Sequence, residues 1–391
     1  MLWTDVLAQE RATETLARAI ETGRVAHAYL FYGPDGVGKR VAALAFARAL
    51  QCERGGAAPG TGACGECAGC LKAAKGLHPD VHVLMPYPSD TAADEVGERL
   101  RLLVENPYAA TDFLRRPSLA DAEKTSNKQV LYTVERVHED VRRPLSYQPS
   151  EGRRKVAILL DADLLRVEAA NAFLKLLEEP APAAVLILTT TRPDRVLPTI
   201  LSRCQKVRFD VLPDDAVARA LVERGGVAPA DAPTLARMAG GSVSRGLELA
   251  GQGDLGARRE LVVRFFRYAY ARKAAEAGVV DEVAGLGREG IKNVLGLMLR
   301  WVHDLVRFRH GGEGAALVNV DQADSIGRFC RNVPHADLAR MAALVEEALL
   351  LVERNAHAGL VARVLAARLG AAMHAGASPD LFVPLVETAS A

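Results

Sequence analysis

The stretch Ala28-Tyr-Leu-Phe-Tyr-Gly33-Pro-Asp-Gly-Val-Gly38-Lys39-Arg40 decides the fold. A short apolar run, read as a core strand over Ala26–Tyr32, enters a glycine-rich loop. An alanine-rich helix then follows from Val41 to about Leu50. The G-x4-G-K spacing between a strand and a helix is that of a phosphate cradle. Gly33, Gly36 and Gly38 let backbone N–H groups wrap a phosphate, the helix start adds partial positive charge, and Lys39 neutralises the outer phosphates. The next position departs from this pattern. A Ser or Thr there would hold Mg²⁺ through its hydroxyl, and Arg40 cannot ligate a cation. The expectation is a nucleotide-binding fold lacking part of its hydrolytic equipment.

Working outward, residues 5–22 read as an amphipathic helix stopped by Gly23. Downstream lies Cys52-x11-Cys64-x2-Cys67-x2-Cys70, a segment rich in glycine with Pro59 at its turn. Two successive C-x2-C spacings bring thiolates onto one tetrahedral ion, and Cys52 can close the set. The expected cofactor is a structural zinc held by Cys52, Cys64, Cys67 and Cys70, because a four-thiolate shell leaves no open position. His78-Pro-Asp-Val-His-Val-Leu gives a second short strand. His78 and His82 read either as rival ligands or, with the shell already full, as polar strand-edge residues. Residues 86–127 show no legible motif and read as a surface insertion, helical around Asp94–Glu105.

A helical pattern over Val130–Leu145, ended by Pro144, precedes the continuous apolar strand Lys155–Leu160. Asp161-Ala-Asp163 follows at the strand's C-terminal edge, where open α/β sheets place their chemistry. Asp163 is read as a helix cap. The remaining pattern is a helix over Leu164–Glu179 stopped by Pro180, a strand Val185–Thr191 ending in hydroxyls, a turn and short helix over Arg192–Leu201, and a last strand Lys206–Phe209. Alternating strands and helices over about 200 residues predict a doubly wound parallel sheet. Beyond Pro213 the strands give out. Residues 214–252 read as short helices and residues 256–374 as a separate all-α domain.

Composition sets outer limits. The chain has 391 residues, 49% hydrophobic and 25% charged, with a net charge of +1. That length predicts two or three domains. Near-neutrality argues against DNA binding by bulk electrostatics. No signal peptide is read at the start, and no apolar run nears the roughly 20 residues of a membrane span, so a cytoplasmic location without membrane contact is expected.

These motifs together resemble the bacterial clamp-loader AAA+ subunits of DNA polymerase III, and among them the delta-prime branch. The resemblance rests on His27 to Phe31, Gly33 to Lys39, the four cysteines, His78-Pro-Asp80, Ala169 to Pro180, Leu197-Pro-Thr-Ile-Leu-Ser-Arg-Cys204 and Gly240 to Arg245. It covers roughly residues 3–250, with a weaker echo at Arg354-Asn-Ala-His357. It implies a RecA-like AAA+ P-loop domain over 1–210 carrying the zinc module 52–70 and the insertion 86–127. A helical lid over 211–254 and an all-α collar over 255–391 follow. Arg203 is implied to be an arginine finger reaching a neighbouring subunit's ATP site, Arg245 the lid arginine (sensor 2), and the Thr189–Thr191 hydroxyls, Thr190 among them, the sensor 1 region. Aligned on Asn171, Asp161 falls where motor subunits carry a catalytic Glu, and Leu160 where they carry the Mg²⁺-binding Asp.

With Arg40, those departures predict no ATPase activity of its own and, at Gly36, Gly38 and Lys39, weak or absent ATP or ADP binding. The chain is thus expected as a non-motor component of the DNA polymerase III holoenzyme. Its expected partners are gamma/tau and delta subunits, the sliding clamp and primer–template DNA. Two other readings compete. One is an active gamma/tau-type ATPase, against which Arg40 and Leu160 stand. The other is a zinc-dependent DNA-binding protein, against which stands the scarcity of basic and aromatic residues between the cysteines.

Overall fold

A computed structural model describes residues 1–54, 62–120, 128–251, 255–273, 276–354 and 356–374. Parts of the expected zinc module (55–61), insertion (121–127), lid (252–254) and collar (375–391) lie outside the described residues, as does Asn355 of the Arg354–His357 echo. The chain divides into two compact units, Met1–Gly251 and Gln252–Ala391.

The first unit opens with a 3₁₀ turn, Trp3–Asp5, and α1 (Glu10–Glu21). The helix expected over 5–22 therefore starts later, beyond Ala8 at φ 44°. β1 (Ala28–Tyr32) runs through the phosphate loop into α2 (Lys39–Leu50). Then come α3 (Ala68–Ala74), β2 (Val81–Leu84) and α4 (Ala93–Glu105). The pattern over Val130–Leu145 resolves differently from a single helix. Leu131 and Tyr132 make isolated bridges to Tyr87 and Leu165, and the buried Tyr132 hydroxyl donates to the carbonyls of Leu84 and Leu160. Helical turns begin only after Thr133, whose side chain accepts from the Arg136 N–H: α5 (Val134–Arg136), a π segment (Val137–Arg142) and α6 (Arg143–Ser146). Pro144 does not stop this helix. It stands in the first turn of α6, where a missing N–H costs little.

β3 (Lys155–Leu159), α7 (Val167–Glu178), β4 (Ala184–Thr190), α8 (Pro198–Leu201) and β5 (Gln205–Arg208) complete the α/β layer. The five strands lie in the order β2-β3-β4-β1-β5, each pairing parallel with its neighbours. Every residue of β3 and β4 is buried, which is why both read as unbroken apolar runs. Phe173 of α7, with no exposed surface, packs with Leu159, Leu186, Leu188 and Ile200 under the sheet. Its truncation to alanine would cost about 3–5 kcal/mol. α9 (Asp214–Gly225), α10 (Ala232–Ala239) and α11 (Val243–Gly251) close the unit. A parallel sheet with helices and a glycine-rich loop after β1, the strand between the central β4 and the edge strand β5, is a RecA-like AAA+ core.

Register aligns the strand ends: Tyr32 pairs with Thr190, and Leu159 with Leu188. The phosphate loop, Asp161 and Thr190 therefore emerge along one edge of the sheet.

The second unit is all-α among its described residues: α12 (Leu255–Ala271), α13 (Gly278–Ala284), α14 (Gly287–Gly311), α15 (Ala323–Asn332), α16 (Leu338–Glu353) and α17 (Ala358–Met373). Phe266 stacks on Trp301 at 4.8 Å. The buried Asp304 carboxylate accepts from the backbone N–H groups of Val318 and Asn319 at 3.0 and 2.8 Å, tying the loop before α15 to α14. Among the described residues no helix is long and apolar enough to cross a membrane.

Candidate functional site: a closed phosphate loop and an exposed arginine

The phosphate loop is built as its sequence demands. Gly36 and Gly38 take φ of 69° and 102°, left-handed values that favour glycine. A Cβ on Gly36 would lie 2.1 Å from Ser242 Oγ, and one on Gly38 would lie 3.0 Å from the Tyr108 hydroxyl. The loop is thus overlaid at close range by the turn before α11 and by the insertion. Lys39 is 6% exposed, and its ammonium donates to the carbonyls of Gly33, at 2.8 Å, and Pro34. Burial pulls its pKa down to about 8 against the attraction of Asp35 and Asp161.

Arg40 turns inward. Its Nη2 donates to Asp161 Oδ2 at 2.9 Å and lies 3.6 Å from Asp112 Oδ2, with 12% of the side chain exposed. Asp161 itself sits at φ 51°, a strained conformation for a residue with a Cβ, and its N–H donates to Thr189 Oγ1 at 3.2 Å. Burial raises the Asp161 carboxyl, and Arg40 beside it opposes that rise. Leu160 is 2% exposed and offers no ligand atom.

The other predicted residues are placed unevenly. Thr190 is fully buried, and its hydroxyl donates to Asp163 Oδ1 at 2.7 Å. The reading of Asp163 as a helix cap is corrected here. Its carboxylate accepts from Thr190 and from Arg192 Nε at 3.0 Å, while the turn at Ala162–Leu164 has Asp161 at its cap position and no side-chain cap bond. The hydroxyl and guanidinium beside it on the β4 edge outcompete the local backbone. Arg245 is exposed, and its backbone N–H donates to Ser242 Oγ at 3.2 Å. Ser244, not Arg245, is among the residues lining the small space over the loop.

The insertion is not the bare surface segment that its sequence suggested. Arg99 of α4 is fully buried and donates to the carbonyls of Thr111, Arg116 and Pro117 at 3.0, 2.7 and 3.1 Å. Its guanidinium also lies 3.7 Å over the Phe113 ring. This folds residues 111–117 around one cation. Asp112, 6% exposed, then pairs with Arg115 at 2.6 Å, and Arg115 reaches Asp35 at 2.5 Å and Glu248 at 3.5 Å. Sequence reasoning missed Tyr108, Asp112 and Arg115. The available signal was the pair of aromatic residues, Tyr108 and Phe113, close together in a segment with no legible motif.

Arg203 stands apart. It follows α8, with 37% of its side chain exposed, Nη2 3.0 Å from Glu178 Oε1 and Nη1 donating to the Thr199 carbonyl at 3.1 Å. The Leu-Glu-Glu-Pro and Ser-Arg-Cys stretches therefore meet through Glu178 and Arg203. Both groups remain at the surface, so the pair contributes only about 0–1 kcal/mol.

The cysteine segment converges as expected. The sulfurs of Cys52, Cys64, Cys67 and Cys70 all lie within 4.8 Å of one another, and Cys64 and Cys70 are 3.8 Å apart. A tetrahedral ion with bonds of about 2.3 Å requires a sulfur separation of about 3.8 Å. N–H groups of Cys64, Cys67 and Cys70 each point at the preceding cysteine sulfur at 3.4 Å, which favours thiolates. Two backbone donors pull the Cys64 thiol down to about 6, whereas burial pushes Cys70 up to about 12. The cluster can hold a metal ion, whose charge would offset that burial. The histidines stay out of it. His78 Nδ1 accepts from the Asp80 N–H at 3.1 Å, and His78 is 3% exposed, so it is a core residue and not a polar strand-edge one. Asp80 organises this corner: burial would raise its carboxyl, but the N–H groups of Ser150, Glu151 and Gly152 and the Lys155 ammonium hold it well below the carboxylate range.

A sequence model of the family described as DNA polymerase III, delta subunit, matches residues 8–213, more than half of the chain. The DNA polymerase III subunit delta' of Bacillus subtilis (strain 168) is 30% identical over 265 residues, which is 68% of this chain and 66% of that protein. The delta' subunit of Pseudomonas aeruginosa PAO1 is 36% identical over 245 residues, 61% of this chain and 60% of that one. The gamma/tau subunit of Mycobacterium tuberculosis H37Rv is 30% identical over 284 residues, 71% of this chain and 40% of that protein. The chain thus spans somewhat under two thirds of the delta' relatives it matches. On the family match and these relatives, the chain belongs to the delta-prime-type clamp-loader subunits of DNA polymerase III.

Proposed function

We propose that this chain helps load a sliding clamp onto primed DNA as a non-hydrolysing subunit of a clamp-loader ring, and that Arg203 reaches the ATP site of a neighbouring gamma/tau-type subunit. The observation that carries the reading is the contrast at the two arginines. Arg40 is spent on Asp161 inside the chain's own phosphate loop, where a motor would hold Mg²⁺ and a base. Arg203 is 37% exposed on a surface ion pair that costs little to exchange. A guanidinium supplied in trans stabilises the charge of a transferring phosphoryl group.

On this reading residues 1–210 are the P-loop domain, 211–254 the lid and 255–391 the collar that joins a hetero-oligomer with gamma/tau and delta. The ion in the cysteine cluster is a structural zinc, which would hold Cys52 at the end of α2 to the Cys64–Cys70 turn. The location is cytoplasmic. The gamma/tau likeness supports a second reading, an active motor, which the Arg40–Asp161 pair opposes. Clamp loading on primed DNA by a reconstituted ring, with and without this chain, tests the proposal. Loading should collapse on omission. Unchanged loading would remove the subunit role, and Mg²⁺-dependent turnover by the purified chain at a motor's rate would favour the second reading.

A further inference from the structure

We propose that the loop Pro107–Arg115 of the insertion is a built-in substitute for nucleotide: it excludes ATP from this chain's phosphate loop and pins α11 to that loop by charge. The inference does not rest on the role assigned to Arg203.

Space comes first. The cavity left between the phosphate loop, Pro107, Tyr108, Asp161 and Ser244 is about 20 Å³. Small-molecule sites start at roughly 300 Å³. Next comes the charge pattern. A metal-bound polyphosphate would present a cation to the acidic strand edge and anions to the loop. Here Arg40 is the cation at Asp161, and Asp112 is the anion facing it, at 3.6 Å. A phosphate entering this place would have to displace Asp112 from Arg40 and stand beside the Asp161 carboxylate, so like-charge repulsion opposes it.

The plug is also preformed. Arg99 makes three bonds to backbone carbonyls between Thr111 and Pro117, so the loop holds its shape before any ligand arrives. Arg115 then joins three segments, reaching Asp112 of the insertion, Asp35 of the phosphate loop and Glu248 of α11. The Val243 N–H donates to the Gly36 carbonyl at 3.0 Å along the same seam. A nucleotide would ordinarily bridge such segments, and here side chains do so permanently.

Calorimetric titration of the full-length chain with ATP and ADP, with and without Mg²⁺, tests this. The wild type should show no saturable binding up to millimolar nucleotide. The triple variant Tyr108→Ala, Asp112→Ala, Arg115→Ala should gain binding on the order of tenfold or more, without needing Mg²⁺, because the Tyr108 ring no longer fills the space over the loop and the Asp112 carboxylate no longer faces Arg40. Micromolar binding by the wild type would overturn the proposal, as would a cooperatively folded triple variant that binds no better. A second variant, Arg115→Gln, decides the matter should the triple variant not fold. Hydrogen exchange at the Val243–Gly246 amides should speed up on the order of tenfold when the charge is removed. Unchanged protection there would overturn the staple.

Discussion

Arg40 and Arg203 carry the same guanidinium in two regions of one α/β unit, and their surroundings make opposite use of it. Around Arg40 the protein has spent burial, a strained Asp161 and an ordered insertion to leave the cation no freedom. Around Arg203 it has spent almost nothing: one exposed glutamate and one carbonyl hold the group at the end of a short helix. A charge that must act on another molecule has to be recoverable from its partner at low cost, and surface pairs meet that condition where buried networks do not. The same residue type is therefore a lock in one place and available for recognition in the other.

The largest effect expected along this line comes from the far end of α2, which carries Arg40 in its first turn and ends two residues before Cys52. Stripping the metal with a strong chelator, or making Cys70→Ser, should unfold the Cys64–Cys70 turn and loosen the phosphate-loop helix. Removal of structural thiolate sites commonly abolishes local folding altogether. Metal analysis of the purified chain should return one zinc, and a metal-free chain with an unchanged melting curve would break the link between the two ends of α2.

Next is the direct contrast. Arg40→Met should destabilise the chain by about 3–5 kcal/mol, because it strands Asp161 and leaves Asp112 with Arg115 alone. Arg203→Met should stay within about 1 kcal/mol. Denaturant titration of both variants checks the pair, and equal losses would erase the distinction.

A smaller effect concerns pH at Lys39. Its folded pKa, about 8, lies below the ordinary 10.5. Between those values the unfolded state binds more protons, so this residue's contribution to stability rises as pH increases from about 8 to 10.5 and is flat below. Relative to Lys39→Met, the wild type should gain up to about 3 kcal/mol across that window. A difference that is independent of pH would show Lys39 to be unperturbed.

Much of this was open to reading from residues alone. The strand–loop–helix around Lys39, the buried runs Lys155–Leu160 and Val185–Thr191, and the cysteine spacing all depend on local pattern, and local pattern is what a sequence displays. The helix over Val130–Leu145 failed because Tyr132 found carbonyl partners at Leu84 and Leu160, a long-range competition that periodicity does not register. Asp163 failed in the same way, being taken by Thr190 and Arg192 across the sheet edge. The insertion was the least legible part. Its order comes from one buried arginine, Arg99, collecting carbonyls up to 18 residues away, and Asp112 and Arg115 matter only because that arrangement delivers them to the phosphate loop. Arg203 was legible by resemblance, and its exposure is a tertiary fact.

The most direct test of the account is ATP turnover by the reconstituted clamp-loader ring, resolved by site, with this chain as wild type, Lys39→Met and Arg203→Ala. The account predicts that Arg203→Ala slows one neighbouring site by a factor on the order of 10³, while Lys39→Met leaves every site unchanged. A ring that loses a site's turnover with Lys39→Met and none with Arg203→Ala would contradict it, making the chain a motor and its exposed arginine ordinary surface.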